Sequence, residues 1–351
     1  MSKKIESMRM SSIQAEQMQA ESVRTKGVRM ADLRNPVGQD VGLPAVNKKK
    51  VRRKKRKRRK RIIILVLFAF LAIILFFALN IFLNARQAFN DIYAPVDTND
   101  LRGGQVDLGN EPFSTLILGV DRNNANDWGR TDTIMLVTVN PRLNSTYIVS
   151  IARDTMVNIN GRYTRINHAF AYNRAGAAGS INAVQDFLNV PIDRYVQIDL
   201  EGFGPIIDAV GGVRVYNNTT SFSAGGYHFP LGYIYLTGSS ATHFVQSRHD
   251  TDYGRQARQR IVTAAAMGDA VGAMLTNSGS FFDATRDNMI TDVSLGDMFT
   301  IAINYAGAVG NITNLYLHGY GQMVNGMALQ VVPEQRRLEM EQRLRRHLEL
   351  D

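Results

Sequence analysis

Aspartates and arginines mark the ends of three apolar, β-branched runs, and these residue types together suit phosphate chemistry. Asp121 closes the run at residues 115–120, Arg130 and Asp132 open the run at 133–139, and Arg153 and Asp154 follow the run at 146–151. Runs of this length and composition, separated by polar loops, read as adjacent buried strands. If neighbouring strands are antiparallel, the five charged side chains meet on one rim of a sheet. Magnesium commonly takes one or two carboxylates and completes its shell with water and phosphate oxygens, which makes Asp121 and Asp132 the candidate metal ligands. A single strand-end aspartate is more often a loop cap; two of them flanking an arginine shift the balance toward a site.

Arg165, Arg248, Arg255 and Arg258 add to Arg130 and Arg153. The planar guanidinium fork binds phosphate oxygens bidentately, so several converging arginines can neutralise a pyrophosphate. Arg255 and Arg258, three apart, share a face near the start of a helix expected over 255–275, where the helix dipole also favours an anion. Asp252 is either the N-cap of that helix or a participant in catalysis. Arg260 is expected to point into solvent, as are Arg162 and Arg174. The six histidines fall in no metal-ligand spacing, and no serine lies in a nucleophile-elbow context. The absence of cysteine excludes disulfides and thiolate chemistry. What remains is direct displacement at phosphorus, stabilised by charge, with Arg153, Asp154 and Asp252 as the candidate catalytic residues.

The elements that must position these groups follow from the rest of the chain. Its 351 residues carry a net charge of +10, yet residues 48–61 (KKKVRRKKRKRRKR) hold thirteen basic residues and no acidic one, so the remainder nets −3. The basic character is local, and no helix-turn-helix accompanies it, so nucleic acid is not an expected partner. Residues 62–85 contain no charge and are long enough to cross a bilayer as one helix. The basic flank assigns residues 1–47 to the cytoplasm as a disordered tail and everything after the span to the outside. Residues 86–112 read as a polar stalk, and the folded domain begins at residue 113. Beyond it, strand and helix patterns interleave to the C-terminus. The expectation is α/β: a single extracellular domain, 113–351, with a central mixed sheet flanked by helices and preceded by one transmembrane helix.

The blocks LILGVDR, GRTDTIMLVTV, SIARDT, RINHAFAY, YVQIDLEGF, DAVGGVRV and SRHDTDYGRQARQR, in this order, resemble the LytR-CpsA-Psr family over roughly residues 113–275. The resemblance implies a Mg²⁺-dependent phosphotransferase in the cell membrane. Such an enzyme moves an anionic glycopolymer, a teichoic acid or capsule, from a polyprenyl-pyrophosphate carrier to peptidoglycan. It implies that Asp121 and Asp132 hold the metal and that Arg130, Arg153, Arg248, Arg255 and Arg258 bind pyrophosphate, with Arg165 near a basic position and Asp252 at an acidic one. It also implies that part of the apolar core opens as a tunnel for the polyprenyl chain. Gln246 stands where the family usually carries an arginine, which implies a weaker grip on the pyrophosphate. Hydrolysis of the lipid pyrophosphate is the alternative activity, and transcription attenuation a more distant one.

Overall fold

A computed structural model describes residues 48–98, 101–121, 129–276 and 278–350. The expected tail at 1–47 lies outside the described residues. The chain divides into two units, Met1–Phe68 and Ala69–Asp351, and the boundary falls inside helix α1 (Lys48–Ile92). Within α1 the stretch Ile63–Asn80 is long and apolar enough to span a membrane, and none of it is buried by the protein. The helix runs on into the residues read as a stalk. Ile92 is buried among Phe281, Phe282 and Ala273, and Asp91 pairs with Arg286 at 3.1 Å. Val106 and Leu108 are also buried, and Arg102 donates to both carboxylate oxygens of Asp193 at 2.5 and 2.8 Å. Scattered apolar residues thus tie the segment to the domain, an anchoring that its polar average composition hides.

The domain opens with three antiparallel strands, β1 (Phe113–Asp121), β2 (Arg130–Asn140) and β3 (Ser145–Ile151), followed by the hairpin β4 (Met156–Ile159) and β5 (Arg162–Arg165). Helix α2 (Gly176–Leu188) leads to β6 (Arg194–Asp199) and ends at Asn189, whose left-handed backbone (φ 52°) stops the helix. Helix α3 (Phe203–Ala209) gives way to β7 (Val213–Asn217) at Gly212 (φ 78°), where a Cβ would collide with Tyr235. The Gly- and Tyr-rich stretch that follows forms β8 (Phe222–Ala224), β9 (Tyr227–Phe229) and β10 (Gly232–Leu236), with β8 paired to β9 and β10 to β7. Helices α4 (Gly238–Gln246), α5 (Asp252–Thr276) and α6 (Ser278–Asn288) precede β11 (Met289–Thr291). Helix α7 (Leu295–Asn304) starts in a reciprocal Ser294/Asp297 capping box. Strand β12 (Ile312–Tyr316), the hairpin β13 (Tyr320–Val324) and β14 (Met327–Val331), and helix α8 (Glu334–His347) complete the fold.

The central sheet has the order β11-β6-β1-β2-β3-β12 and is mixed: β6 runs parallel to β1 and β12 parallel to β3, and the other pairs are antiparallel. The C-terminal ends of β1, β3, β6 and β12 and the start of β2 therefore share one rim. Side chains alternate across the sheet. Leu116, Leu118, Ile134, Leu136 and Val149 face one side, where Phe170, Val184, Leu188 and Leu344 close a core. The other side carries Thr115, Ile117, Gly119, Thr133, Met135 and Val137 beneath α3, α5 and α7, and there packing is incomplete: a cavity of about 460 Å³ remains.

Candidate active site

The rim carries the expected charges, sorted into distinct places. Asp121 at the end of β1 lies opposite Arg130 at the start of β2. The pairing shifts between Gly119, which faces Thr133, and Val120, which faces Thr131, so Asp132 has no partner on β1. Such a bulge re-aims a side chain, and here it frees the carboxylate for β3's extension. Arg153 Nη1 donates to both Asp132 oxygens at 2.8 Å. Burial works against the Arg153 charge, but the bond and charge of Asp132, with Asp252 and Asp154 beyond, outweigh it and raise its pKa.

Across a polar cleft of about 160 Å³, Arg153 faces Arg248, Asp250, Thr251, Asp252 and Arg255. Arg255 is 7% exposed, it bonds Asp252, and its Nε is buried without a hydrogen-bond partner. Burial lowers the Arg255 pKa; Asp252 opposes this while Arg153 and Arg248 reinforce it. Arg153 and Arg248 thus disfavour the Arg255 charge, while Asp132 and Asp252 pair with two of the three guanidiniums around the cleft. Helix α5 is capped by Thr251, whose hydroxyl accepts from the Gly254 amide at 3.2 Å. Asp252 is therefore not the cap. Its two oxygens take Arg255 Nη2 and Gln256 Nε2.

Two arginines differ from expectation. Arg258 is fully buried: it donates to the carbonyls of Phe244 and Ser247 at 2.9 and 2.7 Å and to Asp250 at 2.8 and 3.0 Å, under the Phe222 ring. It braces the loop that carries Arg248 and is absent from the cleft lining. Arg260 is 2% exposed and lies 4.4 Å from the Tyr316 ring centroid instead of in solvent. Arg162 and Arg174 are exposed as expected. Arg130 and Arg165 belong together beside His168, whose pKa is lowered by burial first and then by these two charges. His168 bonds Thr164 through Nδ1 at 2.8 Å.

Asp154 is held by its backbone, where its carbonyl accepts the Gln330 amide at 2.8 Å, and its carboxylate makes no hydrogen bond among the described residues. No group of three or more His, Asp or Glu residues forms a protein-only metal cage among the described residues. Asp121 and Asp132 bring two carboxylates to this rim, and both Asp132 oxygens accept from Arg153. Thr251, Asp250 and Gln330 were not legible as site residues, since small polar residues at loop positions carry no distinguishing spacing.

Residues close in sequence to the charged groups line the apolar cavity. Thr133 follows Asp132, Gln246 precedes Arg248 by two residues, and Gln259 lies one turn beyond Arg255; all three line the cavity. The remaining lining is almost entirely apolar and comes from β1, β2, β6, β11, α3, α4, α5, α6 and α7 and the turns beside them.

A family model described as the LytR_cpsA_psr family matches residues 79–346. The chain is 38% identical over 292 residues to an Enterococcus faecalis protein named polyisoprenyl-teichoic acid–peptidoglycan teichoic acid transferase TagU, covering 81% of this chain and 94% of that one. The crystal structure of Bacillus subtilis TagU aligns with a TM-score of 0.55 at 31% identity, over 68% of this chain and 97% of that one. A structure described as TagT bound to LIIa-WTA aligns with a TM-score of 0.61 at 25% identity, over 73% and 98% of the two chains.

Proposed function

The chain belongs to the LytR-CpsA-Psr family, and from that premise we propose that it is a membrane-anchored phosphotransferase. It attaches an anionic glycopolymer of the teichoic acid or capsule class, carried on polyprenyl pyrophosphate, to peptidoglycan. The observation that carries this reading is the pairing of two unlike spaces: a cleft bounded by Arg153, Arg248 and Arg255, and an apolar cavity of about 460 Å³ whose lining includes Gln246, two residues before Arg248, and Gln259, one helical turn after Arg255. An amphiphile with a pyrophosphate head and a hydrocarbon tail is the ligand class that fills both.

In this reading the arginines hold the pyrophosphate by charge-assisted bonds and stabilise the charge that grows on the leaving phosphate. Asp121 and Asp132 would hold Mg²⁺, which when bound supplies further neutralisation of the phosphate oxygens. An acceptor sugar hydroxyl forms a bond to the glycan-side phosphorus, and the bridging P–O bond breaks. Polyprenyl phosphate leaves with the electron pair, and the hydroxyl proton passes to a carboxylate. Asp154 is the freer acceptor, because both Asp252 oxygens are engaged by Arg255 and Gln256. The basic run at 48–61 orients the span with the N-terminus in the cytoplasm and the domain outside.

The test is incubation of the full chain with a lipid-pyrophosphate-linked oligosaccharide, nascent peptidoglycan and Mg²⁺, with products read by mass spectrometry. Saccharide bound covalently to peptidoglycan is expected, lost on chelation and reduced at least about a hundredfold in Arg153→Ala. An active Arg153→Ala protein would count against the site. Free saccharide phosphate without peptidoglycan adduct would instead identify a hydrolase.

A further inference from the structure

Three aromatic rings lead away from the cleft on the side opposite the cavity. Tyr253 directly follows Asp252 in the first turn of α5. Its hydroxyl donates to the Gly319 carbonyl at 3.0 Å and accepts from Gln330 Nε2, while the Gln330 amide donates to the Asp154 carbonyl. The Tyr253 ring meets His318 edge to face at 4.6 Å, and His318 lies parallel to Tyr316, 3° apart in plane and 5.7 Å between centroids. Tyr316, on the edge strand β12, is 51% exposed and is backed by the buried Arg260 guanidinium at 4.4 Å. The rings are thus held by groups that fix their orientation: hydrogen bonds at Tyr253 and a cation behind Tyr316.

Placement in the sheet separates this row from the lipid side. Among the strands, the cavity is lined from β1, β2, β6 and β11, with no residue of β3 or β12 among the described lining. The aromatic row occupies the β12 edge. Helix α5 divides the two, sending Gln259 to the cavity and Arg260 under Tyr316. If the donor fills the cavity and the cleft, the second substrate must arrive from the open side, and that side presents the rings.

From this we propose that Tyr253, His318 and Tyr316 form a binding row for the acceptor glycan strand, delivering its hydroxyl to the cleft beside Asp154. The inference rests on the transferase reading. A pyranose presents a face of weakly positive C–H groups, which suits the negative face of an aromatic ring, and its hydroxyl and acetamido groups suit the polar tip of histidine. An aromatic, amphipathic row of this kind fits a neutral glycan better than the anionic donor, whose charges belong with the arginines.

The full chain in detergent is tested in two arms. In the first, acceptor and donor KM are measured for wild type, Tyr316→Ala, His318→Ala and Tyr316→Phe, with uncross-linked peptidoglycan strands as acceptor. The alanine variants are expected to raise acceptor KM about tenfold with donor KM and kcat unchanged, and Tyr316→Phe to keep the wild-type value. An unchanged acceptor KM in the alanine variants overturns the row while leaving the transferase reading in place. In the second, direct binding of chitohexaose, a β-1,4-linked N-acetylglucosamine oligomer, is measured. Binding by wild type and by Arg153→Ala that is lost in Tyr316→Ala supports the row even if no transfer is detected, in which case only the transferase reading fails. Absence of chitohexaose binding by wild type, or equal binding by Tyr316→Ala, overturns the row.

Discussion

The two faces of one sheet are built from the same kinds of residue and do opposite work. On the first, Leu116, Leu136 and Val149 meet Val184, Leu188 and Leu344 with no exposed surface left, as close-packed interiors require. On the second, short side chains at Thr115, Gly119, Thr133, Ala266 and Ala270 leave an apolar space unfilled. A void of that size costs stability unless something apolar occupies it, which agrees with the lipid donor proposed above. The lesson is that hydrophobic patterning fixes which face is buried, and side-chain volume on the covering helices decides whether that face is a core or a container.

The sharpest break in this comparison is a truncation on the packed face. Leu136→Ala is expected to cost about 3 kcal/mol, lowering Tm by several degrees, whereas Ile117→Ala beside the cavity should cost about 1 kcal/mol. Denaturant titration of both variants decides whether the faces differ as described. The packed face also holds a titrating group. His347 is buried between Thr138 and Ser145, at 2.8 Å from each, and stacks on Tyr147; burial first, then Arg343, pushes its pKa down to about 4. The fold keeps it neutral while the unfolded chain protonates it near the ordinary 6.5. The stability it contributes is therefore complete above pH 6.5 and lost as pH falls toward 4, by about 3 kcal/mol in all. Asp292, held up to about 6 chiefly by burial, acts in the opposite sense over an overlapping range. The readout is thus the difference between wild type and His347→Gln measured at pH 7 and pH 4.5, and no difference in slope would remove His347 from the account.

On the open face the effects fall on binding. Ala266→Phe places a ring in the cavity and is expected to weaken lipid donor binding about tenfold while Tm stays within about 2 °C of wild type, since no packed neighbour is displaced. A large fall in Tm with donor binding intact would mean that the space is a core. The smallest effect is expected at Gln246, in the cavity lining two residues before Arg248. Gln246→Arg adds a phosphate-binding fork there and should lower donor KM a few-fold, worth about 1 kcal/mol.

Much of the rim was legible because its signals are local. Strand runs bounded by Asp121, Asp132 and Arg153 specify both the strands and the charged edge, and Arg248 and Arg255 flank a helix start that capping chemistry announces. What was not legible depended on the covering elements. Arg258 and Arg260 carry the same charge and helical setting as Arg255, but Phe222 and Asp250 enclose the first and Tyr316 the second, and those partners are distant in sequence. The Thr251 cap displaced Asp252 because either residue can cap, and only the helix's actual first turn distinguishes them. The hairpin of β13 and β14, which sets Gln330 against Asp154 and Tyr253, was missed because its alternation is weak and mostly exposed. The cavity itself could not be distinguished from a core, since both are written in the same apolar residues.

The most direct test of the account is where the phosphorus goes. With a donor carrying both pyrophosphate atoms in isotopically labelled form, the products of the full chain acting on peptidoglycan are analysed by mass spectrometry. The account predicts one labelled phosphorus in a phosphodiester joining saccharide to peptidoglycan and the other in free polyprenyl monophosphate, in equal amounts. Peptidoglycan that gains saccharide without phosphorus, or lipid released as pyrophosphate, would contradict attack at the glycan-side phosphorus and with it the role assigned to the arginine cleft.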